Sequence, residues 1–140
     1  MLVGDAMAIQ VVDIIVERKG MILLTKRGDF WILPGGEIEP GDDEMKCLEE
    51  VVAREMNDKV AAVFKKLEKT IKGPSPVRPG DVEVTIYVGD ISTEKMSAIR
   101  DCNAHWFSRK SLEAIRLSNI TKDVLDYYFS EVDKEKEQLI

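Results

Sequence analysis

The sequence predicts an α/β domain with a mixed β-sheet that is covered by helices on both faces. Apolar, β-branched runs at residues 8–17 and 82–91 predict strands, because they have the length and composition of sheet segments. Helical patterns appear once in the middle of the chain and again at its end. The predicted order is β-β-α-β-β-β-α-α, without an internal repeat or a linker, and we expect one domain over residues 1–140.

The composition is typical of a globular protein and excludes one class of ligand. Hydrophobic residues make up 44% of the 140 residues, and charged residues make up 33%. The formal net charge of −6 argues against bulk nucleic-acid binding, because neutralising many phosphates requires a basic face. A small phosphorylated ligand remains compatible with this charge, since it needs only a few cations or a divalent metal.

Cysteine usage and hydropathy bear on the cellular compartment. Cys47 and Cys102 lack a CxxC spacing, and with a single histidine they do not predict a zinc site. No stretch approaches the ~20 apolar residues of a membrane span, and the first residues lack a signal-peptide pattern. We therefore expect a cytoplasmic protein without a membrane partner. A homodimer is possible, because small enzymes often dimerise.

The first half of the chain begins with a predicted hairpin. Residues 8–17, "AIQVVDIIVE", and residues 21–27, "MILLTKR", are two strand-like runs joined across a turn at Gly20. Asp13 interrupts the first run, and we favour a polar residue at a sheet edge or rim over a role in a site. Residues 59–72 fit either a helix or a strand.

The second half alternates between a loop, strands and helices. "GPSPVRPGD", residues 73–81, predicts a loop, because it contains three prolines and two glycines. "VEVTIYVGDI" predicts a strand with Val82, Val84, Ile86 and Val88 on one face. "AHWFS" predicts a short strand, and two helices and a frayed charged tail from Asp133 should follow.

Two turns and an amphipathic helix occupy the segment from Pro34 to Met56. Pro34-Gly35-Gly36 and Pro40-Gly41 mark the turns. Asp42 or Asp43 can cap the helix, and of the roles open to Asp42 we favour the cap. The helix should run from about Asp43 to Met56. Its apolar stripe has three- and four-residue spacings and consists of Cys47, Leu48, Val51, Val52 and Met56.

"WILPGGEIEPGD" followed by an acidic amphipathic helix resembles the Nudix hydrolase family, whose box is G-x5-E-x7-R-E-U-x-E-E-x-G-U. The strands on either side and "AHWFSRKSLEAI" are similar to the family as well, over most of residues 8–130. The resemblance implies a Nudix-type α/β/α sandwich with a mixed β-sheet. It also implies divalent-metal-dependent pyrophosphate hydrolysis of a nucleoside diphosphate linked to another moiety.

The helix departs from the family box. Counted from Gly36, the Arg-Glu pair of the box becomes Glu50-Val51, and the Glu-Glu pair becomes Arg54-Glu55. The remaining positions are Asp42 for the first glutamate, Val52 for the aliphatic residue and Asn57-Asp58 for the final pair. Only Glu55 survives from the carboxylates that should share one helix face, and a shift by one residue does not restore the others. Glu50 and Arg54 are expected to form an ion pair within the helix.

The resemblance nevertheless implies a set of site residues. Pyrophosphate cleavage uses divalent cations that neutralise phosphate charge and activate water, and magnesium prefers oxygen ligands. Mg²⁺ or Mn²⁺ would be held by Glu39, Glu50, Glu55 and the Gly36 carbonyl, with Glu55 and Glu50 as the catalytic residues. Substrate would be contacted by Arg27, Arg78, Gly35 and Gly36.

Each of these residues also has a purely structural explanation. Helical glutamates, including Glu49, are often only an exposed acidic face, and Trp31 and His105 are interpreted as packing or sheet-surface residues. Three functions therefore remain: a hydrolase with a divergent ligand set, a domain that binds a nucleotide without cleaving it, and a partner-binding scaffold. We expect weak or absent hydrolysis. Convergence of the carboxylates on Gly36 would favour the enzyme, whereas projection of Arg54 into that space would favour the binding domain.

Overall fold

The computed structural model describes residues 8–94 and 103–138, and Cys102 lies outside this part. None of the helices in this part is both long and apolar enough to cross a membrane. In chain order the elements are β1 (Ile9–Arg18), β2 (Met21–Arg27), β3 (Phe30–Ile32), β4 (Gly35–Ile38), α1 (Glu44–Met56), β5 (Val60–Lys66), β6 (Ile71–Pro74), β7 (Asp81–Ile91), β8 (Ala104–Ser108), α2 (Arg109–Leu112) and α3 (Asn119–Gln138).

The strands form one mixed sheet with β1 near its centre. The strand order is β3-β2-β1-β7-β5, while β4 pairs with β1, β6 with β7 and β8 with β2. β1 and β7 are parallel from the pair Ile9 and Val82 to the pair Val16 and Gly89, and the other pairings are antiparallel. The predicted mixed sheet is confirmed. The predicted hairpin of β1 and β2 is also present, with Gly20 at φ 76° in its turn.

Apolar side chains cover both faces of the sheet, which makes the architecture the predicted α/β/α sandwich. On one face Val12, Ile14 and Val16 of β1 pack with Leu48, Val52 and Met56 of α1. On the other face the four predicted alternating residues of β7 pack with Ile120, Val124 and Leu125 of α3. Each of these aliphatic side chains contributes about 1.5–3 kcal/mol when it is fully buried.

The caps of α1 explain where this helix begins and ends. Asp43 is the N-cap, and its Oδ1 accepts hydrogen bonds from the backbone N–H groups of Met45 at 2.9 Å and Lys46 at 3.3 Å. The preference for Asp42 as the cap was wrong, because its Oδ2 instead accepts the Glu39 N–H at 2.9 Å. Asn57 ends the helix in the left-handed conformation at φ 50°.

Several predictions outside the centre of the fold need correction or sharpening. The ambiguous residues 59–72 form β5 and the start of β6, and β6 runs into the predicted loop as far as Pro74. α2 is only four residues long. The charged tail does not fray at Asp133, since α3 continues to Gln138. Asp133 there pairs with Arg109 at 3.1 Å, and such exposed ion pairs support the last turns modestly.

Candidate functional site

A cavity of about 190 Å³ lies beside β4. β1, β7 and the start of α3 form an apolar wall, with Val11, Val82, Val84 and Ile120 among its residues. The loop after β6 closes another side through residues 75–77. The ionisable side chains that line it are Asp13, Arg27, Glu37 and Arg54. A concave, mostly apolar space with a few convergent polar groups is the usual form of a small-molecule site.

Two adjacent glycines allow β1 and α1 to approach this cavity closely. A Cβ at Gly35 would lie 1.9 Å from Asp13 Oδ1 and 2.5 Å from the Val12 carbonyl oxygen. A Cβ at Gly36 would lie 3.0 Å from Val51 Cγ2 on α1. Both glycines line the cavity, as the prediction that they contact a ligand requires. Their small size lets the β4 backbone form part of the wall.

Glu55, the one carboxylate in family register, is held by an arginine. Its Oε1 accepts a hydrogen bond from Arg27 Nη2 at 2.5 Å, and Arg54 Nη2 lies 3.8 Å from the same oxygen. The Glu55 side chain is 14% exposed, whereas the Arg27 and Arg54 side chains are 45% and 64% exposed. One carboxylate is therefore flanked by two guanidinium groups, and the cluster carries a net positive charge.

The other carboxylates expected around a metal point elsewhere. Glu50 lines a surface depression with Asp42, Asp43 and Cys47, and Glu39 lines another depression with Arg78. Within residues 8–94 and 103–138, no three Asp, Glu, His or Cys side chains are grouped so that they could hold a metal ion. The residues present therefore do not fit the divalent cation that the family resemblance implies, because Arg27 and Arg54 surround Glu55.

The orientation of α1 explains why the ligand set is not assembled. Val51 takes the place of a box glutamate, and it is 2% exposed and packed toward Gly36. Glu50 is turned away from this contact. The expected ion pair between Glu50 and Arg54 is not formed, since Arg54 turns toward Glu55 instead. α1 is fixed in this orientation by Leu48 and Val52, which are fully buried under the sheet.

A second contact fixes the N-terminal end of α1. Glu44 Oε1 accepts hydrogen bonds from the Tyr87 hydroxyl at 2.7 Å and from Lys66 Nζ at 3.0 Å. The Tyr87 hydrogen bond is the largest cause of the lowered pKa of Glu44, and Lys66 adds to it. The helix is thus tied to β5 and β7 by polar contacts as well as by its apolar stripe.

Arg78 is placed at the edge of the cavity rather than in it. Its Nη2 donates to Glu37 Oε1 at 2.9 Å, which links the loop after β6 to β4. Ser75, Pro76 and Val77 from the same loop line the cavity, while Arg78 lines the neighbouring depression. The loop is therefore part of the site, and Arg78 is engaged in an ion pair at its border.

Asp13 is the site residue that the sequence prediction missed. It is not at an edge or rim, because β1 lies between β4 on one side and β7 on the other. The residue is 9% exposed and lines the cavity beside Gly35. Burial raises the pKa of its carboxyl group to about 8. The available signal was its position as the only charged residue within an apolar run from Val11 to Val16.

Trp31 and His105 pack against each other outside the cavity. Their rings form an edge-on contact with centroids 5.3 Å apart, and Phe107 lies 4.8 Å from Trp31 in a similar arrangement. His105 is an exposed residue of β8. These positions agree with the interpretation of both residues as packing or sheet-surface residues.

Comparison with solved structures identifies proteins of the same architecture. The Escherichia coli ORF135 protein is 19% identical with a TM-score of 0.65, over 90% of this chain and 92% of that one. A NUDIX hydrolase from Nitrosomonas europaea is 14% identical with a TM-score of 0.64, over 89% of this chain and 90% of the other. The NUDIX domain of Shewanella oneidensis NrtR, complexed with ADP ribose, is 13% identical with a TM-score of 0.65, over 89% and 88%.

Comparisons by sequence gave no further relatives. Neither a scan against models of protein families nor a search of curated proteins found a match. At identities below 20%, the structural similarity establishes the fold, and the chemistry has to be argued from the cavity.

Proposed function

Because this chain has the Nudix fold, we propose that it binds a nucleoside diphosphate, or a derivative of one, through arginine side chains and without a catalytic metal. The observation that carries this proposal is the pair of guanidinium groups around Glu55. Arg54 lies where the family box places a carboxylate, and Arg27 neutralises the single carboxylate in register. A cation at this position can contact a phosphate directly, where the family box would place a metal ligand.

The shape and charge of the cavity support a ligand of this class. The two arginines are the cations that line it in the described part of the chain, and both are substantially exposed. Guanidinium groups bind phosphate oxygens through paired N–H donors, which suits a diphosphate. The NUDIX domain of NrtR was solved in complex with ADP ribose, and its similarity supports a nucleotide-derived ligand for the present chain.

Metal-dependent hydrolysis with a divergent ligand set is the function that this proposal replaces. It would require Glu50 and Glu39 to join Glu55, yet they line two other depressions. It would also require Glu55 to leave an ion pair of 2.5 Å. Binding without cleavage needs no such rearrangement.

The proposal is tested by calorimetric titration of the full chain with ADP and with inorganic pyrophosphate in EDTA. We expect both compounds to bind, with an affinity that falls as salt is added, because exposed charges are screened. Arg27→Ala and Arg54→Ala should each weaken binding by roughly tenfold or more, since a hydrogen bond to a charged group contributes ~1.5–3 kcal/mol.

Arg109→Ala is the matched control. Arg109 is also an exposed arginine in an ion pair, with Asp133 at 3.1 Å, and it lies outside the cavity. This variant should bind both compounds as the unmodified chain does. Equal affinities for all three arginine variants, or no binding of either compound in EDTA, would overturn the proposal.

A further inference from the structure

Asp13 is a buried carboxyl group that lines the cavity. It is 9% exposed, and its side chain lies on the sheet face that α3 covers, beside Val11 and Ile86. Within residues 8–94 and 103–138 it forms no hydrogen bond and no ion pair, although the cavity is open to it. A carboxyl group that lines a cavity and has no partner among the described residues is available to a polar group of a ligand.

The cavity is lined by exposed cationic side chains and by a buried carboxyl group among apolar residues. Arg27 and Arg54, with side chains 45% and 64% exposed, form its positively charged rim. Asp13 is buried, and Val82, Val84 and Ile120 contribute apolar surface to the same space. A nucleotide has the matching distribution, since its phosphates are anionic and its base is a flat apolar ring with a polar edge. This distribution suits phosphates at the rim and a base beside Asp13.

We propose that Asp13 recognises the base of the bound nucleotide, by pairing with an edge that has an N–H donor beside an acceptor atom. This inference rests on the proposed function, because the arginines place the phosphates and thereby direct the base inward. A protonated carboxyl group carries one O–H donor and one carbonyl acceptor side by side. On adenine, the O–H would donate to the ring nitrogen, and the carbonyl would accept the neighbouring amino N–H.

The surroundings of Asp13 favour its protonated form. The charged side chains that line the same cavity are Arg27 from β2, Glu37 from β4 and Arg54 from α1. Cys47 of α1 is the other titratable group near Asp13, and a charge on Asp13 raises the pKa of the Cys47 thiol. β7 and α3 present Val82, Val84, Ile120 and Thr121, which do not titrate. Burial raises the pKa of Asp13 to about 8. The carboxyl group is thus mostly neutral at pH 7, as the pairing requires.

The test compares two substitutions at Asp13 and three probes by calorimetry near neutral pH in EDTA. The probes are ADP, purine riboside diphosphate, which has hydrogen in place of the amino group, and inorganic pyrophosphate. We expect ADP to bind at least about tenfold more tightly than purine riboside diphosphate. This difference corresponds to the lower end of what a bidentate contact to a base contributes to discrimination. Asp13→Asn retains one donor and one acceptor, and it should bind ADP within about threefold of the unmodified chain.

Asp13→Leu removes both groups at similar size, and it should lose about tenfold in affinity for ADP while its affinity for pyrophosphate stays the same. Thermal melting checks that both variants are folded. If Asp13→Leu does not fold, the comparison of ADP with purine riboside diphosphate on the unmodified chain decides alone. Equal binding of these two compounds would overturn the inference, as would full ADP affinity in folded Asp13→Leu. Failure of pyrophosphate and ADP to bind at all would instead overturn the proposed function.

Discussion

Arg27 Nη2 and Glu55 Oε1 lie 2.5 Å apart, and this contact joins the end of β2 to the last turn of α1. If Glu55 only restrains Arg27, Glu55→Gln should free the guanidinium group and strengthen pyrophosphate binding severalfold. The reason is that one carboxylate would no longer compete with the phosphate for the same donors. Calorimetry in EDTA measures this change.

Glu50→Gln is the matched control for that substitution, because it removes an acidic side chain of the same helix that lines a different depression. We expect no effect on pyrophosphate binding from Glu50→Gln. Weaker binding in Glu55→Gln than in Glu50→Gln would contradict the role assigned to the ion pair.

Gly35→Ala should destabilise the fold by about 3 kcal/mol, because the new Cβ would lie 2.5 Å from the Val12 carbonyl oxygen, which cannot move aside. The neighbouring substitution Gly36→Ala should cost clearly less, since its nearest contact is the Val51 side chain at 3.0 Å. Urea denaturation gives both free energies of unfolding. Similar values for the two variants would show that the close approach of β1 to Gly35 is not as described.

The contribution of Asp13 to the stability of the fold should fall as the pH rises from about 4 to about 8. Asp13 keeps its proton in the folded state up to a pKa of about 8, whereas the unfolded chain releases it near 3.8. Between these values the carboxyl group binds more protons in the folded state, so the stability contributed by Asp13 decreases by up to about 1.4 kcal/mol per pH unit. Asp13→Asn should remove this component from urea denaturation curves measured across that range. An unchanged pH profile in Asp13→Asn would contradict the burial of an ionisable group there.

Asn57 ends α1 with φ 50°, a conformation that favours glycine and tolerates asparagine. Asn57→Ala should lower the free energy of unfolding by about 1 kcal/mol, while Asn57→Gly should change it by less than about 0.5 kcal/mol. Thermal melting ranks the two variants. Equal melting temperatures would mean that the backbone at Asn57 carries no left-handed strain.

Most strands and helices could be predicted from the sequence, because the patterns that indicate them involve neighbouring residues. The apolar run of β1, the alternation of β7 and the stripe of α1 each depend on neighbouring residues, and each predicted element is present. The wrong assignment of Asp42 has a local cause as well, because either of two adjacent aspartates can cap a helix. Asp42 accepts the Glu39 N–H in the preceding turn, which leaves Asp43 as the cap. Most of the ambiguous residues 59–72 form strands, because β5 and β6 each pair with a different part of β7.

The site was harder to predict, because its contacts join residues that are distant in sequence. Arg27 and Glu55 were each named as candidates, but their contact depends on how α1 lies against the end of β2. Asp13 was assigned to a sheet edge or rim because it interrupts an apolar run, and the pairing of β1 with both β4 and β7 cannot be read from that run. Glu50 was placed with the metal ligands, and the packing of Val51 against Gly36 turns it away.

The most direct test of the central claim is the affinity of the full chain for ADP, measured in EDTA and again in Mg²⁺, with release of phosphate or AMP followed in the same samples. We predict that ADP binds in EDTA at least as tightly as in Mg²⁺, and that neither phosphate nor AMP is released in either condition. Binding that requires Mg²⁺, together with rapid hydrolysis that Glu55→Gln abolishes, would contradict the account and restore the metal-dependent enzyme.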